Sequence, residues 1–581
     1  TYALLKKRPI SAAPAAAPAG DSSAARAQKG THAWVFKTYR NIVTPFLDSR
    51  FKRYMLLLTV IVLMAFSLSL VVFRVVPLKM LPFDNKNEFQ VVVDMPEGTT
   101  LESTDAVVRE FENYLRQVSE VNHFTSYVGT VSPIDFNGMV RHYYLRQGSH
   151  MADIRVGLAL KGEREQQSHT IVLRLRNDLM EIARRNNARI QIVELPPGPP
   201  VLATIVAEIY GTPDHSYADL IAATEHVRQI MEQEPGVVDI DDMSAMPHEQ
   251  LVFTVDREKA ALHGVSTMAI VDALKLAVGG DSSTTLHMPE QRQPLYIKLI
   301  LPRESRSSMA ALTQIPMATA DGNLVPLAEL VSVTQAPAAQ SIYHKNLDPV
   351  VYVIAEVAGR PPVEAILGMQ KRLDENPLPA GIRAEWAGEG EWKITLRVFR
   401  DMGIAFAAAL LGIYILMIIQ TNSFFMPFLI MLAIPLTLIG IMPGFWLLNL
   451  IAGKVVGGYD DLIFFTATSM IGMIALGGIV IRNSLVLIEF IQGALKENVP
   501  VKEAILQSGA IRMRPIILTA LTTGLGAWPI TLDPIFSGLA WALIFGLFSS
   551  TLFTLLVVPV GYYAMYGQKL APSANASSAL E

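Results

Sequence analysis

The 581-residue chain contains no cysteine. That excludes disulfides, thiolate nucleophiles, iron–sulfur clusters and cysteine-bound zinc. Charge is scarce as well. Charged residues make up 17% of the chain and apolar ones 51%, against about 25% charged in an ordinary soluble protein. So few charges cannot cover a soluble protein of this size. The net charge of −4 offers no general attraction to nucleic acid, and no nucleic-acid partner is expected. No Walker-type glycine loop occurs, so the sequence gives no support for direct ATP drive. His123, His142, His150, His169, His215, His226 and His248 show no metal-ligand spacing, and the 24 methionines lack a repeated Met-x-Met pattern. The methionines are better read as packing than as soft-metal ligands. No nucleophile–base constellation is present, so an enzyme is not expected, nor a cofactor. Residues 1–30 have no apolar core that would make a secretory signal.

What the chain does have is long apolar runs. Residues 54–73 form one, bounded by Arg53 and Arg74, and about 20 residues suffice to cross a hydrocarbon core as a helix. Between residues 402 and 453 lie 52 consecutive uncharged positions, interrupted by the polar step Gln420-Thr421-Asn422-Ser423. Two spans fit there, at 402–419 and 425–448. Further spans are predicted at 462–490, 515–532 and 541–566, giving six. Residues 1–53 carry ten Lys and Arg against Asp21 and Asp48, and the 491–514 loop adds Lys496, Lys502, Arg512 and Arg514. The positive-inside rule then places both ends in the cytoplasm and exports residues 77–400. Residues 10–30 read as a flexible linker. Residues 34–47 suit a short interfacial helix or, equally, a plain linker helix.

The exported stretch holds 72 charged residues in 324, whereas residues 401–581 hold 15 in 181. Its patterns alternate as strand, helix, strand: 88–95, 100–118 and 121–127, then 152–160, 168–186 and 189–195, then 205–210, 217–232 and 237–241. Such units predict ferredoxin-like βαβ subdomains, with the proline-rich stretch at 196–200 as a boundary. The expected fold is an α-helical membrane bundle of six spans carrying a large α+β insertion.

Charges inside a span need an account, because each costs at least about 2.5–3.5 kcal/mol in the hydrocarbon core. Arg482 lies in the fourth span. It reads either as a side chain snorkelling to the interface or as a fixed positive charge facing acidic partners. Asn483 beside it and Thr519 in the fifth span could complete a polar patch, although a lone Asn or Thr is commonly just a helix–helix hydrogen bond. Glu489 reads mainly as an interface residue. An arginine stays protonated, so it can tune a carboxylate but cannot carry the proton itself.

The order and spacing of several motifs together resemble the C-terminal half of a resistance–nodulation–division (RND) efflux permease of the hydrophobic and amphiphilic, multidrug branch. They are Leu81-Pro82-Phe83-Asp84 and Met95-Pro96-Glu97-Gly98-Thr99-Thr100, then Val255-Asp256-Arg257-Glu258-Lys259-Ala260 with Gly264-Val265-Ser266. In the spans they are Met426-Pro427, Ile434-Pro435, Gly478-Ile479-Val480-Ile481-Arg482-Asn483-Ser484, Arg512-Met513-Arg514-Pro515-Ile516-Ile517-Leu518-Thr519 and Val558-Pro559. The resemblance implies a bacterial inner-membrane homotrimer driven by a proton gradient. It implies export of small molecules through a periplasmic membrane-fusion adaptor and an outer-membrane channel. Residues 1–9 resemble the end of a sixth helix, and with Thr1 in place of a starting Met the chain is expected to begin inside a transporter. The missing N-terminal half would carry an acidic pair on its fourth helix. Arg482 then stands where the family usually has the lysine that answers this pair. Asn483, Thr519 and Arg512 would complete the proton relay.

The same resemblance divides the chain into a cytoplasmic segment (1–53), a first span (54–76), a porter subdomain (77–203), a second porter subdomain (204–243 and 336–395), a docking subdomain between them (244–335), five spans (396–566) and a cytoplasmic tail (567–581). The loop at 130–140 would be a switch loop, with Phe136 either lining the substrate pocket or covering the subdomain core. Heavy-metal efflux is the alternative within the family. The Ile481–Ser484 pattern and the lack of a methionine relay speak against it. A protein-export or membrane-assembly factor of the same architecture is a further alternative, disfavoured by the docking pattern at 256–260.

Overall fold

The computed structural model describes residues 32–567. The expected linker, the stretch likened to a sixth helix and residues 568–581 of the tail lie outside them. Helix α1 (His32–Asp48) buries Tyr39, Val43 and Leu47 and leaves Lys37 and Arg40 exposed, the division of an amphipathic helix lying along a surface. Ser49 separates it from α2 (Arg50–Val72), accepting the Lys52 N–H at 3.4 Å as an N-cap. Arg53 donates back to the carbonyls of Phe46 and Leu47 at 3.3 and 2.7 Å, which satisfies the end of α1.

After α2 the chain enters the α+β insertion. Strands β1 (Glu88–Asp94), β2 (Val121–Val128), β3 (Met151–Leu158) and β4 (Arg189–Glu194) form an antiparallel sheet in the order β2-β3-β1-β4. Helix α3 (Leu101–Leu115) follows β1, the short α4 (Phe136–Val140) follows β2, and α5 (Ser168–Arg185) follows β3. Two of the strand–helix–strand units read from the sequence thus interleave into one sheet. Phe89, Val91, Val93, Ile154 and Val156 meet Val108, Phe111, Ile171 and Leu179 in its core. Val92 and Val193 point to the opposite face, against Tyr143. This explains why β1 is buried on both faces rather than alternating.

The third unit, β5 (Ile205–Tyr210), α6 (Tyr217–Glu232) and β6 (Val237–Asp242), completes its sheet only after about a hundred residues. The closing elements are β7 (Val351–Val357), α7 (Pro362–Glu375) and β8 (Arg383–Glu385), and the order is β8-β5-β7-β6. Residues Ser244–Ile342, against an expected 244–335, are a separate compact unit. In it, Glu249–Val255 pairs antiparallel with Val331–Pro337 over a small core of Ala260, Val265, Ile270, Met317, Leu327 and Leu330.

Strands β4 and β6 are both edges, and they face each other without pairing. The Asp239 carboxylate accepts the Ile192 N–H at 2.9 Å and is held by Arg176. Asp241 accepts from Arg189 at 2.9 Å. The Asp239 carboxylate therefore satisfies an edge donor of β4 that would otherwise recruit a neighbouring strand. Asp239 itself takes a left-handed backbone, φ 52°, which Asp tolerates better than most residues.

The remaining spans are α8 (Glu391–Thr421), α9 (Phe425–Ala452), α10 (Ala467–Lys496), α11 (Val501–Ala527, continued as a tight turn to Leu532) and α12 (Ser537–Tyr566). With α2 they make six helices, among the described residues, long and apolar enough to cross a membrane. Four of these five begin away from the expected points, α12 at Ser537 against 541 and the other three for local reasons. Helix α8 starts on the insertion side at Glu391, because its first turns carry charges that hydropathy alone rejects. The start of α10 is set by a box between Thr466 and Ser469, not by the apolar run that precedes it. Helix α11 runs back to Val501 through Pro515, since one proline removes a single donor and can kink a helix without ending it. Helix α9 is broken at Pro435–Thr437 by a 3-10 turn, where the proline cannot donate. The bundle core includes Leu476, Val480, Leu487, Ile441, Phe445, Ala542 and Val560.

Candidate functional site

Arg482 lies on a stripe of exposed α10 positions with Ile471, Ala475, Gly478 and Glu489, the i, i+4, i+7 spacing of one helix face. No hydrogen bond or ion pair reaches its guanidinium among the described residues. On α11, Arg512 and Thr519 stand seven residues apart, about 20° from eclipsed, and share a face. The Thr519 hydroxyl is exposed and donates within its own helix, to the carbonyls of Pro515 and Ile516 at 3.0 and 2.9 Å. The Arg512 guanidinium stacks 3.9 Å from the Phe490 ring centroid, leaving its Nε buried and unpaired. Asn483 is half-buried. No hydrogen bond joins the four residues to one another among the described residues. They are placed on two outward faces of neighbouring helices, not in a closed network. Glu489 accepts a hydrogen bond from Gln420 at 2.7 Å, tying the ends of α8 and α10 together.

Phe136 opens α4 and is 62% exposed. Its neighbours Ile134 and Met139 are exposed as well. Asp135 fixes the segment by accepting the Gly138 N–H at 2.6 Å and an Arg155 N–H at 2.7 Å. These bonds, with burial opposing them, hold the Asp135 carboxyl below its ordinary range.

The structure also assembles a buried charge cluster that sequence reading missed. Lys79, just after α2, sits with its ammonium 3.3 Å from the Phe83 ring centroid, among Glu194 of β4, Glu356 of β7 and Glu391 of α8. Burial pulls the Lys79 ammonium below its usual range while Glu391, Glu194 and Glu356 pull the other way. His169 stacks on Phe83 at 3.4 Å and bonds Glu194 at 2.8 Å. Burial pushes the Glu194 carboxyl up, but His169, Lys79 and Arg176 outweigh it and hold it low. Arg141 donates to Glu356 at 2.8 Å, and Thr204 bonds the other carboxylate oxygen. A cavity of about 90 Å³ opens among these side chains. The only signal in the sequence was one lysine inside the apolar run Val75-Val76-Pro77-Leu78-Lys79-Met80-Leu81. Its three carboxylates come from positions more than a hundred residues away. Among the described residues no group of three or more His, Asp or Glu is placed to hold a metal ion.

The AcrB/AcrD/AcrF family model matches residues 17–566. The chain belongs to that family, the RND permeases. Among curated relatives it is 27% identical over 380 residues to the cobalt-zinc-cadmium resistance protein CzcA of Cupriavidus metallidurans, covering 62% of this chain and 33% of that protein. It is 28% identical over 365 residues to protein HelA of Legionella pneumophila (60% and 33%). To the swarming motility protein SwrC of Bacillus subtilis it is 25% identical over 360 residues (61% and 32%). The chain thus spans about a third of the curated relatives it matches. A crystal structure of a heavy metal efflux pump superposes with a TM-score of 0.75 at 18% identity, over 93% of this chain and 53% of that one. A second crystal form gives 0.74. RND permeases are inner-membrane transporters, not enzymes. The multidrug branch expected from sequence finds no support in these names, which include metal-resistance and metal-efflux proteins.

Proposed function

We propose that this chain is the C-terminal half of a proton-driven RND efflux permease, and that its cargo is a heavy-metal cation. The observation that carries the export reading is Arg482, a permanent charge on an outward face of a membrane helix with no counter-charge among the described residues. Leaving it unpaired in hydrocarbon is costly, so the reading supplies an acidic partner from a second six-helix half. Arg482 would hold those carboxylates ionised until proton entry. Thr519, Arg512 and Asn483 would line the path. The two antiparallel sheets would serve as ferredoxin-like porter subdomains, and Ser244–Ile342 would dock an outer-membrane channel. The assembly would be a homotrimer with a membrane-fusion adaptor in the inner membrane. The cation cargo is supported by CzcA and by the fold shared with heavy metal efflux pumps.

A second reading, export of hydrophobic or amphiphilic compounds, is favoured by the exposed apolar trio Ile134, Phe136 and Met139. A susceptibility assay separates the two. In cells without their own exporters, this chain produced with its acidic half should raise tolerance to zinc, cobalt or cadmium and leave drug tolerance unchanged. Drug tolerance that rises instead and falls on Phe136→Ala would establish the second reading.

A further inference from the structure

We propose that the groove between α1, α11 and α12 binds one acyl chain of an anionic phospholipid from the cytoplasmic leaflet. The groove encloses about 340 Å³ and is lined almost entirely by apolar side chains, among them Ile42 of α1, Ile517 and Leu521 of α11, and Phe548 and Leu552 of α12. Its polar exceptions are few. The Tyr39 hydroxyl is spent on the Leu555 carbonyl at 2.9 Å, and the Thr551 hydroxyl is buried without a partner. Water gains nothing in such a space, because it needs two or more polar partners to stay.

Three observations select the occupant. The lining of α11 runs from Met513 to Gly524, a rise of about 16 Å at about 1.5 Å per residue. That matches the hydrocarbon of a single leaflet, half of about 30 Å. The lining is also on the side of α11 away from Arg512 and Thr519, about 145° round the helix from Thr519. It is therefore not the face on which the relay residues would meet an acidic half. The helices that border the groove, finally, carry exposed cations close in sequence to its lining. Lys37 and Arg40 are exposed on α1 and Arg514 on α11. Of these, Arg40 approaches Glu503 at 3.9 Å, whereas Lys37 and Arg514 have no partner among the described residues. The nearby Asp48 is taken up by Lys502. Exposed Lys and Arg at the cytoplasmic surface attract anionic headgroups, and α1 has the amphipathic build of a helix lying at that interface.

The test is native mass spectrometry of the full chain in detergent, titrated with phosphatidylglycerol or with phosphatidylcholine of the same acyl chains. One phosphatidylglycerol per chain should be retained in preference. Gly524 has open space where a side chain would begin, so Gly524→Leu should intrude into the groove and release both lipids. Arg40→Gln with Arg514→Gln should weaken phosphatidylglycerol about tenfold and leave phosphatidylcholine unchanged. Unaltered circular dichroism would show that these variants fold. Retention by Gly524→Leu equal to that of the parent chain overturns the proposal. So does a dimer mass in place of bound lipid, which would make a second copy the occupant.

Discussion

Arg482 and Asp241 show how environment decides what a single side chain can do. Arg482 has no counter-charge among the described residues, so its value to the permease would lie in the charge it presents. Arg482→Ala should abolish export in cells carrying the complete permease, whereas Arg482→Lys should keep at least part of it, because an ammonium also stays charged. Susceptibility assays with quantified membrane protein check both. Normal tolerance with Arg482→Ala would remove the residue from the relay. Asp241 behaves in the opposite sense. Burial, together with the nearby Asp94, pushes its carboxyl up from 3.8 to about 6, while Arg189 opposes the shift and Asp242 adds to it. The folded chain therefore holds this proton up to about pH 6, and an unfolded chain releases it near 3.8. Stability from this group is complete below 3.8 and is lost as pH climbs through that window. Thermal midpoints in detergent should fall across it, less steeply for Asp241→Asn.

At the level of elements, the hairpin between α9 and α10 (Lys454–Val456 paired with Tyr459–Asp461) clasps α5. Asn177 donates to the Gly457 carbonyl at 2.7 Å and Thr170 to Asp461 at 2.8 Å. Gly457 has φ 60°, and a Cβ there would lie 2.2 Å from the Leu173 carbonyl oxygen. Gly458, at φ 85°, has open space. Gly458→Ala should therefore carry only backbone strain, about 1 kcal/mol or more, and Gly457→Ala visibly more. The comparison of their melting midpoints isolates the clasp. Equal losses would show that strain alone matters.

Elements of this kind also mark what sequence could convey. The nine strands and helices of the three repeated units were legible because the helices are amphipathic and the strands are short apolar or alternating runs bounded by turns. Helix starts at Glu391, Ala467 and Val501 were not, since a charged first stretch, a polar cap and a proline lie there and hydropathy reports none of them. Among the site residues, Arg482 stood out because charge is so rare in its surroundings. The Lys79 cluster did not, because its carboxylates lie in charge-rich segments and only the two sheets and α8 bring them together.

For the whole molecule, the proposed division of labour predicts that vesicles holding only this chain show no proton-coupled cation uptake. Adding the acidic half should restore it, as a fluorescent zinc indicator would report. Transport by this chain alone would refute the need for a second half. The joint between the two sheets has a mechanical consequence of its own. Strands β4 and β6 meet through carboxylates and guanidiniums instead of a shared ladder. Parting them breaks a few ion contacts and leaves every strand pairing within each sheet intact. The seam thus lets the two sheets part without unfolding either, at the cost of exposing the buried Arg176–Asp239 pair.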